Sequence, residues 1–307
     1  MEHTTTELQT RHFQQEDMPL LGELYQAVTS RPNAIFWWVG EEANWSNVYC
    51  AFEHGKMVAK GQVGIINIVP PGRAQENKHA IYVNIKAIPE REHDYVLLDR
   101  IYELLYARAI ELKATLSTEY GTRLCVGNFS TEEANNHYFL QRGFRHLISQ
   151  YHMERMIEGP IPELHLPEGY QFSHWNLDTD EEANAYLDID TEIWSDNPLG
   201  FERLTEFKQY PLWTSMVVRQ GDTVVAGLLI WKEDDYAHID NVFVREKWRG
   251  QGIAKFLLAQ ALQYAKTHDI PRASLEVLTD NRTALRLYES LGFEQQAEEI
   301  RYYIELR

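Results

Sequence analysis

Apolar and polar residues follow one another in short runs whose order is the same in the two halves of the chain. In the first half the pattern predicts strands at 8–13, 48–52, 57–68, 80–88, 124–127 and 148–156, and helices at 18–29, 96–112 and 132–142. In the second half it predicts strands at 170–175, 214–218, 223–232, 237–244, 273–278 and 301–306, and helices at 180–194, 253–267 and 282–291. Each half has the order expected of an α/β fold, in which helices pack on a mixed sheet.

The segment 159–169, GPIPELHLPEG, separates the two halves. Its three prolines and two glycines cannot continue a helix or a central strand. We therefore predict a domain at 1–158, a linker at 159–169 and a second domain at 170–307. The pairs Gly143-Phe144 and Gly292-Phe293 lie about 150 residues apart, one in each half, which indicates an internal repeat.

Length and composition set limits on the class of protein. With 307 residues, 44% of them hydrophobic, the chain is long enough for two domains of ~150 residues each, although length alone also fits one large domain. The longest apolar run, 224–231, is too short to cross a membrane, and the first residues lack a signal-peptide pattern, so we expect a cytoplasmic protein without membrane contact. Cys50 and Cys125 form neither a disulfide framework nor a zinc motif, and no metal is expected.

The charge balance bears on partners. Lys and Arg total 29 against 46 for Asp and Glu, a formal net charge of −17. Such a surface repels phosphate backbones, so a nucleic-acid partner is not expected. It mildly favours a cationic partner such as an amine, but acidic surfaces also serve solubility.

A glycine-rich turn at the start of a helix is a candidate binding site for a phosphate group. The predicted strand 237–244 leads into Arg249-Gly250-Gln251-Gly252-Ile253-Ala254, after which apolar residues recur at helical spacing. Two glycines allow successive N–H groups to point outward at the positive end of the helix, where a phosphate or pyrophosphate can bind. The turn lacks the endings of a Walker A loop and of a dinucleotide fingerprint. Taken alone, the two glycines also fit an unliganded turn.

Two segments resemble signatures of the GNAT family of N-acetyltransferases. VFVREKWRGQGIA is similar to the family's acyl-CoA pyrophosphate loop, and TDNRTALRLYESLGFE, from 279 to 294, is similar to its second signature. The resemblance covers 170–307 well and 1–158 by element order. It implies two tandem GNAT-like domains, each a mixed, mostly antiparallel sheet flanked by helices. The tandem arrangement is similar to that of mycothiol synthases.

The resemblance also implies residue roles in binding acetyl-CoA, the expected co-substrate. Backbone groups of Phe243 and Val244 pair with the pantetheine arm at a splayed point of the strand. Four residues donate backbone N–H groups to the pyrophosphate, Arg249 adds positive charge, and Asn281 lies near the pantetheine. The four donors are Gly250, Gln251, Gly252 and Ala254.

Three residues are the candidate catalytic groups. Tyr288 stands where the family places a general acid for the leaving thiolate, although a tyrosine on an inner helix face is often only part of the core. His238 and Asp240 alternate on one strand and share a face, near positions where some family members carry a glutamate base and others a histidine pair. A hydrogen-bonded structural histidine is the alternative for His238.

The N-terminal half departs from the pattern at the loop. Ile88 takes the place of Val244, but the residues that follow, 89–96, contain three carboxylates and lack glycine. Alignment of the Gly-Phe pairs places Phe139 opposite Tyr288. We predict that this half is a degenerate copy without a cofactor site.

The expected function is transfer of an acetyl group from acetyl-CoA to a primary amine by direct attack in a ternary complex. The acceptor is a small molecule or a peptide, and the motifs do not choose among thiol-sugar amines, polyamines, antibiotics, amino acids and protein N-termini. The alternative is a CoA-binding sensor or interaction scaffold without catalysis. The trio His238, Asp240 and Tyr288 favours the enzyme.

Overall fold

The computed structural model describes residues 8–30, 34–195 and 198–307. It contains twelve strands and seven α-helices within these ranges. In chain order they are β1 (Gln9–His12), α1 (Met18–Thr29), β2 (Val48–Glu53), β3 (Lys56–Asn67), β4 (Lys78–Ala87), α2 (Tyr95–Lys113), β5 (Gly121–Phe129), α3 (Glu133–Gln141), β6 (Arg145–Met156), β7 (Tyr170–Trp175), α4 (Asp180–Ile193), α5 (Phe201–Phe207), β8 (Thr214–Gln220), β9 (Thr223–Glu233), β10 (Tyr236–Val244), α6 (Ile253–Thr267), β11 (Arg272–Leu278), α7 (Arg282–Glu289) and β12 (Glu294–Glu305).

The chain folds into two compact units. Unit 1 comprises residues 1–149 and 297–307, and unit 2 comprises residues 150–296. The predicted domains, 1–158 and 170–307, are each continuous in sequence, and the two units are divided differently. Each unit is completed by a strand segment from the other half of the sequence. Residues 150–156 of β6 pair with β11 in unit 2, and residues 299–305 of β12 pair with β5 in unit 1.

Unit 1 contains a mixed sheet with the strand order β1-β2-β3-β4-β5-β12. All neighbouring strands are antiparallel except β4 and β5, which are parallel and are joined through α2. On β4 the residues that point toward α2 are apolar, and Ile81, Val83 and Ile85 are at most 1% exposed. This alternation is what a strand requires to bury one face against a helix.

Unit 2 repeats the arrangement, with the strand order β6-β11-β10-β9-β8-β7. Only β10 and β11 are parallel, and α6 joins them. The face covered by α6 and α7 has an aliphatic core that includes Leu257 and Leu262. The opposite face, covered by α4 and α5, is more aromatic and includes Tyr186 and Trp231.

The predicted fold class is confirmed: each unit is a mostly antiparallel mixed sheet flanked by helices. The short helix α5 was not predicted. Residues 159–169 form neither helix nor strand, and Ile161, Leu164 and Leu166 from this segment pack against the core of unit 2. No helix in the described ranges has the length and apolar character needed to cross a lipid bilayer.

Candidate active site

Unit 2 contains a cavity of about 760 Å³ where β10 and β11 separate. The two strands pair only from Tyr236 to His238 and from Arg272 to Ser274, although β10 continues to Val244 and β11 to Leu278. Residues 242–244 of β10 line the cavity. Because this part of β10 has left its parallel partner, its backbone is available to pair with an extended ligand in the manner of an added strand.

A β-bulge accompanies the separation of the strands. The register of β10 with β9 shifts between Asp240 and Phe243, and Asn241 has a φ of 53°. The Asn241 N–H donates to the Asp240 carboxylate at 2.7 Å, a side-chain acceptor in place of a ladder partner. A bulge bends its strand and raises the local twist, which agrees with the divergence of β10 from β11 just beyond it.

The predicted glycine cradle lies at one end of the same cavity. Gly250 and Gly252 have φ values of 77° and 79°, which strain any residue with a Cβ, and Gly252 is the N-cap of α6. The first N–H groups of a helix have no partner within it, so those of α6 are free to bind an anion. Arg249 and Ala254 also line the cavity.

Gln251 is the one predicted cofactor residue that does not line the cavity. Its side-chain oxygen accepts a hydrogen bond from the Tyr170 hydroxyl at 2.8 Å, which connects the glycine turn to β7. The prediction for Gln251 concerned its backbone N–H, and it stays a prediction.

Helix α7 provides Asn281 and Tyr288 to the cavity wall. Asn281 is the N-cap of α7, and its side-chain oxygen accepts from the Ala284 N–H at 3.1 Å. Tyr288 is 6% exposed. Within the described ranges nothing hydrogen-bonds its hydroxyl, although the residue borders the cavity.

Burial raises the pKa of Tyr288 to about 12, and the nearby carboxylate of Asp240 acts in the same direction. Both effects disfavour the phenolate. The hydroxyl therefore stays protonated across the neutral range and can act as a hydrogen-bond donor toward the cavity.

His238 and Asp240 lie beside the cavity rather than in its lining. Their cross-strand partners are Trp231 and Leu229, which belong to the core under α4, so both side chains lie on that face of the sheet. The His238 ring lies 4.7 Å from the Trp231 ring, and its Nδ1 is 3.2 Å from the Ser274 hydroxyl. Asp240 is close enough to influence Tyr288 electrostatically.

Several residues of the cavity were not predicted from the sequence. They come from the end of α4, from β10, from the turn before α6, and from the first turns of α6 and α7. They are Ile193, Trp194, Val242, Trp248, Ile253, Lys255, Thr283, Ala284 and Leu287. Trp194 packs edge-on against Phe243 with ring centroids 6.0 Å apart, so α4 contributes an aromatic wall to the site.

In unit 1 the corresponding helix start is occupied by a side chain of the protein. Asp94 is the N-cap of α2, and its carboxylate accepts the Leu97 N–H at 3.1 Å. Arg91 pairs with the same carboxylate at 2.7 Å. The negative charge that an anion would bring to the helix start is therefore already supplied by Asp94.

The gap between β4 and β5 in unit 1 is also filled from within. These strands pair only up to Tyr82 and Cys125, and the cavity beyond them measures only about 220 Å³. Lys86 forms a buried ion pair with Glu132, whose other oxygen accepts the Phe129 N–H at 2.9 Å. The Asn135 amide donates to the Ile85 carbonyl at 2.7 Å. Side chains thus satisfy the groups that an extended ligand would otherwise meet.

This difference between the units predicts one CoA molecule per chain. Titration calorimetry with CoA should give a stoichiometry near one, because the helix start at the unit 2 cavity has no side-chain cap, whereas in the described part of unit 1 Asp94 caps the corresponding helix start and the cavity measures about 220 Å³. Two equal sites would contradict the assignment of unit 1 as a degenerate copy. As a check on location, the substitution Gly252→Asp in unit 2 should remove the whole binding signal and not half of it.

Comparison with known proteins identifies the family. The sequence pattern described as "Acetyltransferase (GNAT) family" matches residues 174–293. An uncharacterized N-acetyltransferase of Bacillus subtilis, YycN, is 35% identical over 119 residues, which are 37% of this chain and 75% of that protein. A mycothiol acetyltransferase of Thermomonospora curvata is 28% identical over 153 residues, which are 47% of this chain and 51% of that protein. The chain thus spans about half the length of the latter relative.

A solved structure described as a tandem GNAT protein from the clavulanic acid biosynthesis pathway has a similar fold over nearly its whole length. The likeness covers 98% of this chain and 99% of that one, with a TM-score of 0.65 and 14% identity. At this identity the likeness concerns the fold alone, and it extends to both units. The matched pattern at 174–293 contains the cavity of unit 2.

Proposed function

Since the chain belongs to the GNAT family and has its tandem architecture, we propose that it transfers an acetyl group from acetyl-CoA to a primary amine at the cavity of unit 2. The main support is the coincidence in one cavity of a separated strand, a free helix start with two left-handed glycines, and the Tyr288 hydroxyl. These features suit a ligand with an extended polar arm, a pyrophosphate and a reactive end.

The positions of the groups support the proposed binding roles. The pyrophosphate binds the N–H groups of Gly250, Gln251, Gly252 and Ala254 at the positive end of α6, and the guanidinium of Arg249 adds charge. The pantetheine arm pairs with the backbone of Phe243 and Val244. Asn281 lies at the α7 side of the cavity, beside the arm.

In the chemical step the amine nitrogen attacks the thioester carbonyl, the C–S bond breaks, and the sulfur leaves as a thiolate. His238 accepts the proton of the amine, directly or through water, and Asp240 supports the positive charge that develops. Direct attack in a ternary complex is favoured because the cavity lining contains no cysteine or serine nucleophile among the described residues.

Tyr288 borders the cavity, and this position supports a hydrogen bond from its hydroxyl to the leaving sulfur. A free thiol has a pKa near 8.5, so complete proton transfer from a phenol of pKa about 12 is uphill by about 5 kcal/mol. A hydrogen bond to the developing thiolate needs no such transfer and stabilises the charge as it forms. We therefore assign this hydrogen bond to Tyr288 as its main contribution.

The test is a panel of primary amines incubated with acetyl-CoA while the released thiol is measured. At least one amine should give amine-dependent thiol release, and His238→Ala should lower its turnover by about 10²-fold at neutral pH with CoA affinity unchanged, the usual effect of losing one acid–base group. His165, which is exposed in the segment 159–169, provides the control, and His165→Ala should keep wild-type turnover.

Two outcomes would count against the proposal. Tight CoA binding without thiol release for any amine would favour the sensor or scaffold. Full activity of His238→Ala together with loss in Asp240→Ala would reverse the two roles and make His238 a structural residue.

A further inference from the structure

A buried carboxylate on α4 is connected to the bulge of β10. Asp190 is 1% exposed, and both of its oxygens accept hydrogen bonds. Oδ1 accepts from the Asn241 side-chain amide at 2.8 Å, and Oδ2 accepts from the Leu199 N–H at 2.6 Å. A buried carboxylate is costly unless it is held in this way, so its presence at this position needs a reason beyond packing.

Asn241 is the residue with positive φ in the bulge, and its side-chain nitrogen contacts two groups on α4. One donor goes to Asp190, and the same nitrogen lies 3.2 Å from the Tyr186 hydroxyl, also on α4. Its backbone N–H donates to Asp240. Asparagine tolerates a left-handed backbone better than most residues, but the conformation still requires support from its surroundings.

The bulge sets the orientation of the residues on either side of it in β10. Residues 242–244, which follow it, line the cavity, and Asp240, which precedes it, influences Tyr288. A one-residue slip in a strand moves every side chain to the other face. Loss of the bulge would therefore change the orientation of residues 242–244 relative to Asp240.

We propose that Asp190 is a positioning residue that fixes the bulge of β10 through Asn241, and so sets the backbone that receives the pantetheine arm and the placement of Asp240. The inference rests on the proposed function for the identity of the ligand. Asp190 does not line the cavity and is not a catalytic residue.

The electrostatics agree with this role. Burial raises the pKa of Asp190, and Asp240 raises it further, while the hydrogen bonds from Leu199 and Asn241 lower it. The two carboxylates are thus near neighbours separated by Asn241. The amide between them donates to one through its side chain and to the other through its backbone.

A reciprocal exchange of the two side chains tests the proposal. In Asp190→Asn the new side-chain amide faces the amide of Asn241, so two donors meet. In Asn241→Asp the new carboxylate faces that of Asp190, so two acceptors with like charge meet. The double variant Asp190→Asn/Asn241→Asp restores complementarity, because the amide at 190 then donates to the carboxylate at 241, and the Tyr186 hydroxyl can donate to it as well. Asp188→Asn, on the exposed side of the same helix, is the control.

The readouts are the Kd for CoA, measured by calorimetry well below the melting temperature of each variant, and kcat and KM for acetyl-CoA. Each single variant should raise the Kd and the KM by about tenfold or more, as expected for a lost hydrogen bond to a charged group. The double variant should recover most of the loss, and Asp188→Asn should match the wild type.

A purely structural role for Asp190 predicts a different result. The single variants would then melt at lower temperature, but the folded protein would bind CoA with wild-type affinity, and this outcome would overturn the proposal. A double variant that binds no better than the weaker single variant would overturn it too. Since the Kd for CoA does not depend on any amine, a wild type that binds CoA without transferring acetyl groups would refute the proposed function and leave the positioning role testable.

Discussion

Replacement of Gly252 by aspartate is expected to weaken CoA binding by about 10²- to 10³-fold. The substitution puts a carboxylate at the start of α6, where the pyrophosphate is proposed to bind. Two like charges ~4 Å apart repel by about 4 kcal/mol at an effective dielectric constant of ~20, and this repulsion dominates the effect. A second, smaller cost arises because Gly252 has a φ of 79°, which strains any side chain with a Cβ.

The two costs can be separated by experiment. Gly252→Ala introduces the strain without the charge and should weaken binding by about tenfold at most. Pantetheine, which lacks the pyrophosphate, should bind Gly252→Asp and wild type alike. Gly221, in the turn between β8 and β9, also has a positive φ and open space around it, so Gly221→Asp is the matched control and should keep CoA affinity. Unchanged CoA affinity in folded Gly252→Asp would show that the pyrophosphate binds elsewhere.

The glycine turn could be predicted because its information is local. Arg249 to Ala254 is a continuous segment, and two glycines between a strand and an amphipathic helix specify a turn with outward N–H groups. The structure places both glycines in the left-handed region and at the edge of the cavity, and their role in binding a pyrophosphate stays a prediction. The strand and helix order of each half was predictable for the same reason, since hydrophobic periodicity is read from neighbouring residues.

Long-range features could not be read in this way. The last strand pairs with β5 in unit 1, from 170 (299 − 129) to 182 (305 − 123) residues earlier in the chain, and no local pattern specifies such a partner. The contribution of α4 to the site was missed because Trp194 and Asp190 lie about 50 residues before the bulge. Helix α5 has only seven residues, which is too short for a periodic signal.

The electrostatic state of the site was equally hidden. From the sequence, Tyr288 had the ordinary pKa of a phenol, near 10. Its raised pKa depends on burial and on Asp240, which are set by the packing of α7 and the path of β10. The raised value changes the expected role from a ready proton donor to a donor of a hydrogen bond.

Tyr288→Phe is expected to lower kcat by roughly 10- to 150-fold with little change in CoA affinity or melting temperature. The substitution removes only a hydroxyl that no described protein group hydrogen-bonds, so packing should survive. A hydrogen bond to a charged group contributes about 1.5–3 kcal/mol, and this bond is made as the thiolate forms, so its loss falls on the rate. Turnover, calorimetry and thermal melting measured on the same preparation will separate the three effects.

Phe139 of unit 1 occupies the position equivalent to Tyr288 and shows how a phenylalanine fits there. Phe139 in unit 1 accepts the Phe144 N–H at its carbonyl, as Tyr288 accepts the Phe293 N–H, and each ring contacts the phenylalanine that follows. A phenylalanine is therefore compatible with the helix and its core at this position. Because the pKa of Tyr288 is raised to about 12, the wild type should show no loss of activity from tyrosine ionisation below pH 10. Wild-type turnover in Tyr288→Phe would exclude this hydroxyl as the group that stabilises the leaving sulfur.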